Sequence, residues 1–94
     1  MIEYIGEPAS LEMLAEEATE LAHAALKLAR IKRGENPSPV PVLTATQNVI
    51  EEFTDVCLCA EDLGLKVDEE IKFTKLKRFD ERWGKFKEPR RSMA

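Results

Sequence analysis

Apolar residues recur at helical spacing in three stretches of the chain. In residues 11–33 they lie three or four positions apart and leave polar residues on the other side, which is typical of a helix with one face against a core. Ser10 directly precedes this stretch as a candidate N-cap, and Gly34 follows it as a candidate stop. We therefore predict a long helix over residues 11–33.

The same period continues in two later stretches. Residues 46–63 predict a second helix, and Asp68 can cap a third, more basic one. The connecting segment 36–41 holds three prolines, which favour a stiff extended link. The opening "IEYI" fits either one helical turn or an extended piece, and no stretch predicts a strand.

Helices of this length leave too much apolar surface for one short chain. Each stripe is wide, and the 94 residues supply no fourth helix to cover it. We therefore predict an all-α protein, a helical bundle of about three main helices that homo-oligomerisation completes into a four-helix core. The length predicts a single domain over residues 1–86, followed by a flexible basic tail, residues 87–94.

Net charge and hydropathy argue against several classes of function. A net charge of −4 argues against a broad nucleic-acid surface, and no apolar stretch approaches membrane-spanning length. The N-terminus shows no secretory pattern, so we expect a cytoplasmic protein with neither nucleic acid nor membrane as a partner. Cys57 and Cys59 point in different directions on a helix, which predicts two reduced structural thiols, Cys57 inward and Cys59 at a rim.

Carboxylates lie beside the apolar stripes of the first two helices. Glu17 and Glu20 fall about 60° and about 120° from Leu14, to one side of its stripe. Glu52 and Asp55 form a similar acidic rim on the second helix. If the rims meet, four anionic groups repel one another unless a cation neutralises them. Hard oxygen ligands favour Mg²⁺, which Mn²⁺ can replace, over zinc.

The third helix offers basic groups that suit a polyphosphate. Lys75, Arg78 and Arg82 are spaced three and four residues apart and so share one face. A metal on the acidic rims and this face would hold a phosphate chain from two sides.

In this order, the segments "EEATE", "EEFTD" and "KLKRFDER" resemble the MazG-like branch of the all-α nucleoside triphosphate pyrophosphatases, whose signature is E-x-x-E followed by E-x-x-D. The resemblance covers residues 11–83. It implies a helical bundle that forms a homodimer or homotetramer. It also implies hydrolysis of a nucleoside triphosphate between the α and β phosphates to monophosphate and pyrophosphate, often to clear the nucleotide pool.

The resemblance also implies roles for individual residues. Glu16 would be a further metal ligand or a carboxylate that orients water. In the reaction, Glu16 and Glu20 are our candidates for orienting the attacking water or accepting its proton. The implied metal ligands are Glu17, Glu20, Glu52 and Asp55. The implied phosphate-contacting residues are Lys75, Arg78 and Arg82.

Two other interpretations stay open at this point. The chain can be a non-catalytic helical oligomerisation or regulatory module, including a catalytically dead relative of the pyrophosphatases. Glu20 and His23 also spell the E-x-x-H of di-iron carboxylate bundles, although His23 points about 180° from Leu14, away from a bundle interior. The proline-rich segment 36–41 either lines a nucleotide pocket or only bridges the helices.

Overall fold

The computed structural model describes residues 1–35 and 40–84. It contains four helices, which are α1 (Ile2–Ile5), α2 (Glu7–Arg33), α3 (Val42–Asp62) and α4 (Glu69–Trp83). The described residues contain no strand, so the predicted all-α class is confirmed. Most of the proline-rich segment 36–41 and the whole predicted tail, residues 87–94, lie outside the described residues.

Helix α2 begins four residues earlier than predicted. Gly6, with φ 84°, separates α1 from α2, and Pro8 lies in the first turn of α2. Proline fits there because its fixed φ is helical and the first turn needs no N–H from it. Ser10 therefore lies inside the helix, so its predicted capping role is wrong. "IEYI" forms the single turn α1, and Gly34 ends α2 in the left-handed conformation, as predicted.

Helix α3 also begins earlier than its apolar period suggested. It starts at Val42, directly after Pro41, whose extended backbone forms the N-cap. The end is close to the prediction, since Gly64 follows it with φ 72°. The predicted cap of α4 is confirmed, because the Asp68 side chain accepts a hydrogen bond from the Ile71 N–H at 2.9 Å.

Helices α2 and α3 pack against each other as an antiparallel hairpin. The residues between them, here called the seam, are the less exposed positions and recur at alternating spacings of three and four. The seam consists of Ser10, Leu14, Glu17, Leu21, Ala24 and Leu28 of α2 and Ala45, Val49, Glu52, Val56, Cys59 and Leu63 of α3. Among the described residues, only small side chains are buried, because two helices cannot surround a core.

The cysteine orientations are the reverse of the prediction. Cys59 lies in the seam and is 5% exposed, whereas Cys57 is half-buried. Phe53 belongs to the apolar period that predicted α3, but it lies beside the seam rather than in it and is exposed. Both thiols are free, as predicted.

The end of α3 holds the start of the chain. The Asp62 carboxylate accepts a hydrogen bond from the Ile2 N–H at 2.7 Å and lies 3.1 Å from the Met1 ammonium. The Ile2 hydrogen bond, followed by the ammonium group, lowers the pKa of Asp62. Helix α1 thereby closes one end of the hairpin.

Helix α4 adds nothing to the packed interior. Each of its residues is exposed, and the main helix packing of the described chain lies between α2 and α3 and between α1 and α2. The chain exposes 8121 Å², against about 5,500 Å² for a compact monomer of this mass. Within the described residues, no helix has both the length and the apolar character needed to cross a bilayer.

Candidate metal centre

Three carboxylates from facing helices meet at the seam. Glu17 and Glu20 of α2 and Glu52 of α3 each place one oxygen within 4.8 Å of the others. The spacing of three brings the two α2 residues to one side of that helix, and the antiparallel packing places Glu52 across from them. The sequence placed an acidic rim on each helix, and these three residues of the two rims meet.

Two of these carboxylates occupy positions that the seam otherwise gives to apolar side chains. Glu17 lies between Leu14 and Leu21 in the α2 row, and Glu52 takes the corresponding place on α3. The Oε2 atom of each is shielded from solvent and has no hydrogen-bond partner. An unsatisfied buried polar atom is costly and uncommon in proteins. A cation at this point would satisfy both oxygens.

The pKa values of the two seam carboxylates also favour a bound cation. Burial raises the pKa of Glu17, and the negative charges of Glu20 and Asp55 raise it further. Burial likewise raises the pKa of Glu52, with the charge of Glu20 as the next cause. Without a cation, this cluster favours protonation, whereas a bound cation would favour the ionised form.

The two other predicted acidic residues lie at the edge of the cluster. Asp55 is exposed and does not belong to the group within 4.8 Å, although its charge raises the pKa of both Glu17 and Glu52. Glu16 is also exposed, and its charge acts on Glu17. The structure therefore brings together three of the four predicted ligands and leaves Asp55 beside them.

The predicted phosphate-binding residues lie on α4. Lys75 and Arg78 line a shallow depression on that helix, and Arg82 is exposed one turn further on. No basic side chain is among the charges that shift the pKa of Glu17 or Glu52. The described chain thus does not bring the basic residues to its own carboxylates.

The sequence placed two buried seam residues elsewhere, Ser10 at the start of a helix and Cys59 at a rim. Ser10 is 2% exposed, and its hydroxyl has no hydrogen-bond partner. Burial raises the pKa of the Cys59 thiol, as do the charges of Glu17 and Asp55. The alternating three-and-four spacing would have identified both residues as seam positions. His23 is exposed and does not belong to the carboxylate group.

The residues present fit a hard divalent cation. The donors are carboxylate oxygens, which Mg²⁺ and Mn²⁺ accept, and the Oε2 atoms of Glu17 and Glu52 have no hydrogen-bond partner. The nearby thiol of Cys59 does not belong to the group. Comparisons with protein families, curated proteins and solved structures found no match to this chain.

Proposed function

We propose that this protein is a Mg²⁺-dependent nucleoside triphosphate pyrophosphohydrolase that produces nucleoside monophosphate and pyrophosphate and clears the nucleotide pool. The observation that carries the proposal is the meeting of Glu17, Glu20 and Glu52, two of which have an orphaned oxygen inside the seam. Apolar side chains there would stabilise the hairpin better, so the carboxylates need a reason beyond folding.

The acidic residues would have two roles, metal binding and proton transfer. Glu17, Glu20 and Glu52 would hold the ion, with Asp55 as a further ligand from the edge of the cluster. When bound, the metal would neutralise phosphate oxygens and lower the pKa of a water molecule. Glu20 and Glu16 are exposed, so either carboxylate can accept the proton of the attacking water. The water oxygen bonds to phosphorus as the bridging bond between the α and β phosphates breaks.

The basic residues of α4 would hold the departing group. Lys75, Arg78 and Arg82 provide positive charge and N–H donors for the pyrophosphate oxygens. Their exposure leaves these groups available to a ligand.

Assembly as a homodimer or homotetramer belongs to the proposal. On each helix of the hairpin, the acidic residues lie to one side of the seam and a second, exposed apolar surface lies to the other. This surface consists of Leu11, Ala18, Ala22 and Ala25 of α2 and Ile50 and Phe53 of α3. Two hairpins packed through it would form a four-helix core.

A cytoplasmic location is also proposed. Cys57 and Cys59 are both free thiols, and such thiols persist in reducing compartments.

The test is a panel of nucleoside triphosphates incubated with the protein and Mg²⁺ and assayed separately for pyrophosphate and orthophosphate. We expect pyrophosphate release, with a loss of about 100-fold or more in kcat/KM for Glu52→Gln, since a metal ligand is removed. Glu61→Gln is the matched control, because Glu61 is an exposed carboxylate of the same helix that lies outside the acidic rim. Pyrophosphate release that is equal in the two variants would remove Glu52 from the site.

A second candidate function is a non-catalytic oligomerisation or regulatory module. The exposed apolar residues of the hairpin and of α4 favour it. A module of this kind gains no thermal stability from Mg²⁺ and nucleotide, whereas an enzyme that binds both is stabilised by mass action. Thermal unfolding with and without these ligands separates the two functions.

A further inference from the structure

Helix α4 has a chemically divided surface. At about 100° per residue, one flank carries a row of four basic residues beside an apolar strip that includes Leu76. The basic row consists of Lys72, Lys75, Arg78 and Arg82. The acidic residues of α4 lie on the opposite flank, together with Lys77. A helix of this kind suits a surface that is apolar at its centre and acidic at one edge.

Helix α3 presents such a surface. It carries five carboxylates and no basic residue. Glu51, Asp55 and Leu58 follow one another at spacings of four and three, so they share one stripe of the helix. Leu58 is 56% exposed, and the two carboxylates beside it are exposed as well. We call this stripe the acidic edge of α3, and it adjoins Glu52 of the metal centre.

The two surfaces do not meet within one chain. Residues 69–83 are exposed throughout, and within residues 1–35 and 40–84 no ion pair joins α4 to α3. The charges that act on Glu52 include none from α4. A second copy of the chain offers the same acidic edge, and two-fold symmetry would satisfy both copies at once.

We propose that α4 is an exchanged arm, which docks its basic row on the acidic edge of α3 in a second copy. Each metal centre would then receive Lys75 and Arg78 from the other subunit rather than from its own chain. The inference rests on the proposed function for its dimer and its phosphate chemistry, but charge complementarity and exposure of the two surfaces carry the docking itself.

The experiment uses full-length chains labelled with ¹⁴N and with ¹⁵N, refolded together and coupled with a carbodiimide, which joins amines directly to carboxylates. We expect peptides that link Lys72 or Lys75 to Glu51 or Asp55, half of them with mixed isotopes. Links found only between peptides of like isotope would show that the arm folds back on its own chain. Either that result or an absence of such links would overturn the proposal.

Matched lysine variants establish which flank of α4 docks. The double variant Lys72→Gln, Lys75→Gln should abolish the mixed-isotope links, whereas Lys77→Gln, on the opposite flank, should leave them unchanged. Circular dichroism of both variants checks that α4 remains helical. Retained linkage of α3 through Lys77 in the double variant would contradict the proposed orientation.

The linkage experiment needs no catalytic activity, so the two proposals can fail separately. Mixed-isotope links without pyrophosphate release would keep the exchanged arm and remove the pyrophosphohydrolase. Pyrophosphate release without mixed-isotope links would do the opposite.

Discussion

At the scale of single residues, the most unusual feature is a pair of glutamates inside the seam. Glu17 and Glu52 stand in apolar rows, and each has a shielded oxygen without a partner. Their neighbour Glu20 raises the pKa of both through its charge and a side-chain hydrogen bond, and the charge of Asp55 raises both pKa values as well. The two carboxylates therefore destabilise the folded hairpin, and a bound divalent cation would offset this loss. Binding sites often reduce the stability of a protein in this way.

The raised pKa values of Glu17 and Glu52 give a pH dependence of a definite sign. A group whose pKa is higher in the folded state contributes stability below its unfolded pKa, near 4.5 here, and loses that contribution as pH rises through the folded pKa. With a chelator present, we expect the urea midpoint of unfolding to fall as the pH rises above about 4.5. Added Mg²⁺ should remove most of the fall.

The variants of this experiment isolate the two carboxylates. The double variant Glu17→Gln, Glu52→Gln should lose both the fall with pH and the response to Mg²⁺, whereas Glu12→Gln, on the outer face of α2, should keep them. Asp62 changes the stability in the opposite direction, because its pKa is lowered in the folded state. Its contribution to the free energy of unfolding is lost only as the pH drops below about 3.8. A midpoint that rises with pH equally in all variants would contradict the assignment.

At the scale of helices, ends and faces are set by different forces. Pro8 and Pro41 fix where α2 and α3 begin, and Gly34 in the left-handed conformation ends α2. Helix α4 depends on local interactions more than α2 and α3 do, because it has no buried residue. Its N-cap should therefore matter more to its own helicity than to the hairpin.

Substitution of that cap tests the independence of α4. Asp68→Ala removes the acceptor of the Ile71 N–H and should cost α4 about 1 kcal/mol. Hydrogen exchange should accelerate in the amides of α4 and stay unchanged in α2 and α3. Asp68→Ser keeps a capping oxygen and serves as the control. Equal acceleration throughout the chain would show that α4 unfolds together with the hairpin.

At the scale of the whole molecule, a single chain leaves apolar residues of the hairpin exposed. The radius of gyration is 16.7 Å, whereas a compact domain of 100 residues has about 13 Å. The apolar residues Leu11, Ile50 and Phe53 are about half exposed on the side of the hairpin away from the carboxylates. A second hairpin on this side would bury them without covering the candidate metal centre.

A charge placed on that surface tests the assembly. Phe53→Glu should weaken the dimer by about 2 kcal/mol or more, roughly 30-fold in Kd, because an anion would be buried in an apolar contact. Light scattering after size exclusion, over a range of protein concentrations, measures this change. Thr19→Glu adds the same charge at an exposed site on the outer face of α2 and should have little effect. A wild-type chain that is monomeric at every concentration would contradict the prediction.

The sequence alone determined the helical class, the approximate extent of three helices, the cap at Asp68 and the stop at Gly34. These features depend on residues within one or two turns of each other, so local periodicity and capping chemistry are enough to predict them. The same applies to the E-x-x-E and E-x-x-D spacings, which place their carboxylates on one side of a helix.

Only the tertiary structure decided which part of each broad apolar face became the seam. Packing α2 against α3 put Glu52 and Cys59 inside and left Phe53 and Cys57 further out, contrary to the predicted inward face of α3. It also brought Glu17 and Glu20 to Glu52 while leaving Asp55 at the edge. The physical reason is that an apolar arc wider than one contact allows several rotations of a helix, and only the register with its neighbour selects one of them.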